Sequence, residues 1–289
     1  TEQEVELFAE VARASGRKCS FTLAQNGDRP DQWRNCLDIV ERANAEGLIM
    51  KPQIATRPIG FVTSLKSYHM FMRRRTYLKL EELPFDQMLA EMRKPEIKAA
   101  ILSDESVPPD QPGTMASLYE LLGFTAGAMF PIEMPINYEP EASESLGARA
   151  ALAGREIDEY MYDYLLQDEG NSFAILLGAN FIDGTFNVMH EMITHPNTVI
   201  GLSDAGAHVN LIFDAVGPTY QLTHWVRDRT RGDRLPIELI VHKQTGANAE
   251  LFGMNDRGTI AVGKRADLNI FDLQRLALGK LAVHSDLPA

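Results

Sequence analysis

Hydrophobic residues recur along this chain at two spacings, which predict helices alternating with short buried strands. Apolar residues within 5–12 share one helical face. A segment rich in strand formers at 18–24 precedes a helix start signal at Pro30-Asp31, and a second strand pattern follows at 47–55. Strand, helix and strand at this spacing form a βαβ unit, which implies parallel strands joined by a right-handed crossover.

A long middle region, about residues 60–170, carries mostly helical patterns. Amphipathic spacing predicts helices at 80–90, 95–103, 143–153 and 156–166. This length is too great for an ordinary crossover between two strands. We therefore expect a helical insertion that packs over one face of the fold.

The last part of the chain returns to alternating strands and helices. The predicted elements are strands at 173–178 and 198–203, helices at 187–194, 219–229 and 236–244, and a pair of short strands within 258–272. The last pair flanks a Val262-Gly-Lys turn. The pattern as a whole is that of an α/β protein.

Composition and charge exclude several classes of partner. The 289 residues include 28 Lys and Arg against 40 Asp and Glu, which gives a net charge of −12. A nucleic acid partner is not expected, because binding one requires a basic face. No apolar run reaches the eighteen or so residues of a membrane span, and Cys19 and Cys36 are too few for a disulfide framework. A cytoplasmic protein is the default expectation, and the chain, which starts within a helical pattern, reads as a piece of a longer one.

The stretch Gly201-Leu-Ser-Asp-Ala-Gly-Ala-His208 places an ionisable Asp and His in a glycine-containing turn after an apolar strand. In parallel α/β barrels, catalytic groups lie where strands end. A carboxylate at Asp204 can bind a metal and take a proton from metal-bound water. An Asx turn or helix cap is the structural alternative. The segments downstream favour the catalytic role.

Three further residues are candidates for contacts at the same place. His208 can contact substrate, orient Asp204 or bind a metal, and a histidine satisfied within a loop is its alternative. Arg57 follows the strand that ends at Ile54, where a guanidinium can hold a carboxylate bidentately. A salt bridge to an acidic loop is an equal alternative for Arg57. Ser203, beside Asp204, is a further candidate for substrate binding.

The other histidines form no metal motif. His190 and His195 are five positions apart, not the four that place two ligands on one helical face, so solvated or capping roles are expected. His224 and His242 fall in amphipathic helical patterns, where packing is the default. His69 carries no motif.

Short segments spread over most of the chain together match the pattern of a known family. They are Phe21–Gln25, Ala55–Gly60, Ser203–His208, Leu222–Arg229, Leu235–Glu238, Asp256–Ile260 and Ala266–Ile270. In these segments the chain resembles the amidohydrolase superfamily, specifically its D-aminoacylase (N-acyl-D-amino-acid deacylase) branch. The resemblance is weakest between about residues 100 and 170.

This resemblance implies a (β/α)8 TIM-type barrel with a small β-sandwich. The chain would supply about strands 5–8 of a partial barrel within residues 1–250, including the insertion, and the start of the sandwich at 251–289. It also implies a divalent metal, usually zinc, that activates water to attack an N-acyl amide. Asp204 matches the family's aspartate at the end of the eighth strand, a general base and in some members a metal ligand.

The chain departs from the family where many relatives place metal-binding histidines, because Gln25 and Gln53 stand at those strand ends. Amide oxygens are poor zinc ligands beside imidazole. The family's first-strand His-x-His pair would lie before Thr1, so most metal ligands are expected outside this chain. Two alternatives stay open: a cyclic-amide hydrolase of the dihydroorotase or hydantoinase kind, and a non-catalytic binding or assembly partner that has lost its metal. The acyl group, the side chain, the stereochemistry and the oligomeric state, including a homo-oligomer, are left open.

Overall fold

The computed structural model describes residues 1–111, 113–201 and 216–283. In this part the chain divides into two compact units. The parallel-strand unit comprises 1–59, 178–201 and 216–278. The helical unit comprises 60–111, 113–177 and 279–283.

The elements alternate along the chain as an α/β pattern. The strands are β1 Gln53–Ile54, β2 Gly60–Thr63, β3 Phe130–Ile132, β4 Phe173–Leu177 and β5 Val199–Ile200. The helices are Glu2–Ser15, Gln32–Ala45, Arg75–Leu80, Phe85–Met92, Pro95–Ser103, Leu118–Phe124, Leu146–Leu152, Ile157–Leu165, Asn187–Thr194, Gly217–Tyr220 continued by a π-helix at Gln221–Asp228, Ile237–Gln244 and Gly246–Leu251. Short 3₁₀ turns lie at Met115–Ser117, Ala126–Ala128 and Ala142–Glu144, and a left-handed turn lies at Gln167–Gly170.

The parallel-strand unit contains three chain segments side by side. Strand β1 pairs in parallel with β5, with Gln53 opposite Val199. On its other side, isolated parallel bridges join Cys19 to Met50 and Thr22 to Gln53. The helix Gln32–Ala45 connects the first two segments and buries its apolar face. The predicted βαβ unit is therefore confirmed.

The first helix shows why this part of the chain is helical. Thr1 and Glu4 form a capping box, in which the hydroxyl accepts from the Glu4 amide and the Glu4 carboxylate accepts from the chain start. Gly16 ends the helix with φ 64°, a left-handed conformation that glycine adopts without a Cβ clash. Val5, Ala9 and Ala12 form the buried stripe of the helix.

The helical unit is built on an antiparallel sheet in the order β2-β4-β3. Gly60 lies opposite Leu177, and a Cβ at residue 60 would come within 2.0 Å of the Leu176 carbonyl oxygen, so only glycine fits there. Helices of this unit pack an apolar cluster that includes Phe71, Met92 and Tyr162. The unit gains its stability mainly by removing these side chains from water.

The barrel prediction requires a correction in strand number. Strands 5–8 of a barrel would be four neighbouring parallel strands. The described residues contain three parallel segments instead. Strand β4, the remaining strand of the predicted series, is antiparallel to both β2 and β3. An apolar run predicts a buried strand but not its direction, because direction depends on partners that lie far away in the sequence.

The two strands expected within 258–272 are also absent from the described residues. Gly258 and Gly263 both have φ 86°, so the turns are present. Ile260 and Ile270, however, are 92% and 99% exposed. A strand requires a paired backbone and a buried face, and in the described part of the chain this segment has neither. Within the same residues, no helix is both long and apolar enough for a bilayer crossing.

Candidate functional site

The carboxyl ends of the parallel segments bring several polar side chains together. Gln25 follows the first segment, Arg57 follows β1, and Gly201 follows β5, where its amide donates to the Ile54 carbonyl at 3.1 Å. Of the residues predicted to act here, Arg57 lies in the described part of the chain. Asp204, His208 and Ser203 lie outside the described residues.

Arg57 is held in a buried stretch of extended chain. Its side chain is only 5% exposed, and its Nη1 donates to the carbonyl of Pro58 at 3.1 Å. The preceding carbonyl, of Thr56, accepts a 2.7 Å hydrogen bond from Nε1 of the fully buried Trp225. The backbone before Arg57 is thus anchored to the π-helix, which places a permanently charged guanidinium at the end of the strand.

Gln25 is held by a loop that follows β4 in the sequence. Its backbone amide donates to Asn180 Oδ1 at 2.7 Å, and the Asn180 amide donates back to the Gln25 carbonyl at 3.0 Å. The Gln25 side-chain amide donates to Asp183 Oδ2 at 2.9 Å. Asn180 takes φ 70°, a left-handed conformation that asparagine tolerates better than most residues. The three residues form a hydrogen-bonded polar group at the strand end.

Gln53 is committed to contacts within the strands. Its Nε2 donates to Ser20 Oγ at 3.0 Å. Its Oε1 lies so close to Gly201 that a Cβ there would approach within 2.6 Å. Glycine at 201 therefore makes room for the Gln53 side chain, which in turn fills the face of the strands beside the site.

A second buried guanidinium belongs to Arg229, at the end of the π-helix. Its Nη1 donates to the Asp233 carbonyl at 2.8 Å, and its Nη2 donates to Asn187 Oδ1 at 3.1 Å. Its Cζ lies 4.8 Å from the ring centre of Trp225, a cation–π distance. Trp225 thus contacts Arg229 and also anchors the chain before Arg57, so the two cations share one aromatic support.

The nearby histidines have structural surroundings. Burial first, and then the Arg229 cation, lower the pKa of His190, which favours its neutral form. His195 follows the helix Asn187–Thr194 as its C-cap, and its Nε2 lies 3.0 Å from Glu41 Oε1. The capping role predicted for His195 is confirmed. His224 stacks on Tyr220 with ring centres 4.8 Å apart, as expected for a packing residue.

The donor set that the structure describes suits an anion better than a metal. Within residues 1–111, 113–201 and 216–283, no three His, Cys, Asp or Glu side chains form a group that could hold a metal ion. The side-chain amides of Gln25 and Gln53 donate to Asp183 and Ser20. These residues do not fit a zinc centre by themselves, whereas a guanidinium such as that of Arg57 can bind a carboxylate.

Sequence reasoning missed four residues at this edge, namely Asn180, Asp183, Asn187 and Arg229. Their contacts join positions far apart in the chain: Gln25 and Asn180 are 155 residues apart. One local signal was present, because Asn180-Phe-Ile-Asp-Gly184 is a polar turn directly after an apolar strand. Polar residues in that position are candidates for a site in α/β folds.

A sequence comparison with known protein families identifies one family along the chain. A family model described as the amidohydrolase family matches residues 1–288. Uncharacterized proteins of Mycobacterium bovis and Mycobacterium tuberculosis are each 37% identical over 89 residues, which are 30% of this chain and 14% of each relative.

One solved structure is similar over 96% of this chain and 44% of its own, with 19% identity and a TM-score of 0.45. It is an N-acyl-D-glutamate deacylase of Bordetella bronchiseptica, bound to zinc and a phosphonate inhibitor. The chain thus matches less than half the length of this structure and a small part of the curated relatives. The family assignment rests on the sequence match along the whole chain.

Proposed function

This chain belongs to the amidohydrolase family, and from that membership we propose that it acts in the hydrolysis of N-acyl-D-amino acids. The observation that carries the proposal is the segment Ser203–His208, which begins two positions after Gly201 in the sequence. Gly201 is hydrogen-bonded at the carboxyl end of parallel strands, the usual location of catalytic groups in α/β enzymes. The resemblance of this segment to the D-aminoacylase branch supports a linear N-acyl amide as the bond that is cleaved.

In this proposal, Asp204 acts as the general base. It takes a proton from the attacking water, whose oxygen bonds to the amide carbon, and delivers that proton to the amine nitrogen as the C–N bond breaks. Arg57 binds the carboxylate of the amino acid, a role that its buried guanidinium at the strand end supports. Ser203 and His208 complete the contacts with the substrate.

A divalent metal, most commonly zinc in the D-aminoacylase branch, belongs to the proposal as a cofactor of the whole protein. Most of its ligands are expected outside this chain, and Asp204 is the candidate ligand within it. The metal content of the purified protein, measured by mass spectrometry, tests this part of the proposal on its own.

The substrate class is tested by turnover on a matched panel. The panel contains N-acetyl-D-glutamate, N-acetyl-D-leucine, their L enantiomers, the corresponding D-amino acid amides without an acyl group, and 5-substituted hydantoins. We expect measurable kcat/KM on an N-acetyl-D-amino acid and at least a tenfold lower value on its L enantiomer. Release of acetate and free amino acid in equal amounts identifies the bond that is cleaved.

Other outcomes on the panel lead to different conclusions. Faster turnover of hydantoins than of linear amides would replace the proposal with a cyclic-amide hydrolase. Equal rates on both enantiomers would remove the D preference and keep the amide hydrolysis. Binding of N-acyl amino acids without any turnover, in a metal-loaded protein, would support the non-catalytic alternative.

A further inference from the structure

A cavity of about 360 Å³ lies at the amino ends of the parallel segments, within the parallel-strand unit. Its wall is formed where Lys18, Lys51 and Thr198 begin their strands, together with side chains of the helices Ile237–Gln244 and Gly246–Leu251. This end of the strands is opposite to the edge that carries Arg57. The volume is in the range of about 300 to 1,000 Å³ found for small-molecule sites.

Three lysines line this cavity: Lys18, Lys51 and Lys243. In the part of the chain that the structure describes, each of their ammonium groups donates to uncharged oxygens and none forms an ion pair. The wall also contains one carboxylate, that of Glu250, and the ring of His242. Three cations against one anion leave the cavity positive, although the whole chain has a net charge of −12.

The three ammonium groups differ in how many donors they keep for a ligand. Lys243 is buried and uses all three hydrogens, on the carbonyls of His195 and Thr198 at 2.7 and 2.6 Å and on the Thr198 hydroxyl at 3.1 Å. Lys51 donates to the Pro196 carbonyl and to Asn197 Oδ1, and thus keeps one N–H. Lys18 donates to the Glu250 carbonyl and keeps two.

Much of the remaining wall is hydrocarbon. Ile49, Val199, Leu239 and Leu251 line the same cavity. Ile49 is substantially exposed, so a bound molecule would remove apolar surface from water and be stabilised by that burial. A ligand that matches both parts of the wall has an anionic head and an apolar body. A hydrated inorganic ion would leave the hydrocarbon part unused.

We propose that this cavity is a binding site for a small organic carboxylate, separate from the proposed catalytic edge. The carboxylate head accepts from Lys18 and Lys51, whose remaining N–H groups are its donors. A hydrocarbon chain of several carbons lies against Ile49 and Leu239. Lys243 contributes its charge from beneath the site and holds the strand start in place.

The proposal is tested by calorimetric titration of the full chain with hexanoate, with hexanamide as its neutral counterpart, and with inorganic phosphate. Hexanoate is expected to bind at least tenfold more tightly than either. Lys51→Met should weaken hexanoate binding at least tenfold, and Lys51→Arg should restore most of it. Lys94→Met, which removes an exposed lysine of the helical unit, is the matched control and should change the affinity less than twofold.

Each contrary result overturns the proposal in a distinct way. Equal binding of hexanamide would mean that the lysines do not select a charge. Equal or tighter binding of phosphate would show an inorganic anion site in place of a carboxylate site. Unchanged affinity in Lys51→Met, or no binding of hexanoate, would contradict the site itself. If Lys51→Met melts at a lower temperature than the parent, Lys18→Met supplies the same test on a more exposed lysine.

Discussion

The two units of this molecule differ in what they bury. The parallel-strand unit buries the cations of Arg57, Arg229 and Lys243 near the two ends of its strands. In the helical unit, burial lowers the pKa of His69 to about 3 and raises the pKa of Tyr162, which favours the neutral forms of these two side chains. A cation is stable in a protein interior only where oxygen atoms and charges receive it. The buried cations of the parallel-strand unit therefore depend on the protein oxygen atoms that accept from them.

The buried groups of the two units also differ in the atoms that surround them. Lys243 has three oxygen acceptors within hydrogen-bond distance, and Arg229 donates to a carbonyl and to an amide. His69, in contrast, packs edge-on against Tyr77 with ring centres 4.7 Å apart, and its Nδ1 has no partner among the described residues. His69 is thus supported by an aromatic contact, whereas Lys243 and Arg229 are supported by oxygen atoms.

The largest effect is expected from removing the aromatic support of the polar edge. Trp225→Ala should lower the free energy of unfolding by about 3–5 kcal/mol, because it empties a fully buried ring site and leaves the Thr56 carbonyl without its donor. Phe124→Ala, in the helical unit, removes an aromatic ring that is 92% exposed and should cost less than about 0.5 kcal/mol. Urea titrations of both variants check the prediction; equal losses would contradict the role given to Trp225.

Acid should lower the free energy of unfolding through the protonation of His69. The unfolded chain takes up a proton as the pH falls below about 6.5, whereas burial holds the folded pKa near 3, so stability is lost on acidification. Between pH 7 and pH 5 this group should cost about 2 kcal/mol of unfolding free energy. His69→Phe should lack this loss. A variant that is as acid-sensitive as the parent would mean that His69 is not kept neutral.

A rise in pH above 8 should increase the free energy of unfolding through Lys243. Burial first, and then Lys51, lower its pKa to about 8, so the folded form releases its proton before the unfolded chain does at about 10.5. The contribution of this group to stability should therefore rise by about 2 kcal/mol between pH 8 and pH 10. Comparing the parent with Lys243→Met over that range isolates it. No difference in slope would contradict the lowered pKa of Lys243 in the folded protein.

The smallest effect is expected at the predicted carboxylate contact. Arg57→Lys keeps the charge and removes the planar fork that binds a carboxylate through two parallel bonds. KM for an N-acyl-D-amino acid should rise about tenfold, which corresponds to about 1.4 kcal/mol, with kcat less affected. Arg265→Lys, on the surface, is the control. An unchanged KM would indicate that Arg57 has a structural role and does not bind the substrate carboxylate.

Local patterns were enough for part of the fold. The βαβ arrangement around the helix Gln32–Ala45 could be predicted because a start signal and an apolar face lie within a few residues of each other. The direction of β4 could not be predicted, since it depends on β2, more than a hundred residues earlier. The strands predicted within 258–272 were wrong, because the pattern of alternate apolar residues contains no information on whether a partner strand is present.

Part of the candidate site could likewise be predicted from the sequence, and part could not. The position of Arg57 near a strand end could be predicted because it lies three residues after Ile54, and its role at the site stays a prediction. The position of Gly201 could be predicted because it precedes the Ser203–His208 motif. The Asn180 and Asp183 contacts with Gln25 could not be identified, since they arise only when loops distant in sequence meet. The grouping of lysines around the amino-end cavity could not be predicted either, because no motif joins Lys18, Lys51 and Lys243 along the chain.

The most direct test of the central claim, that the chemistry lies at the carboxyl ends of the parallel strands, is turnover of an N-acyl-D-amino acid by Asp204→Asn. The substitution keeps size and shape and removes the general base, so kcat should fall at least about a hundredfold while the melting temperature stays within a few degrees. Asp267→Asn removes an exposed carboxylate near Arg265 and should retain kcat within about twofold. A kcat in Asp204→Asn close to that of the parent would contradict the account.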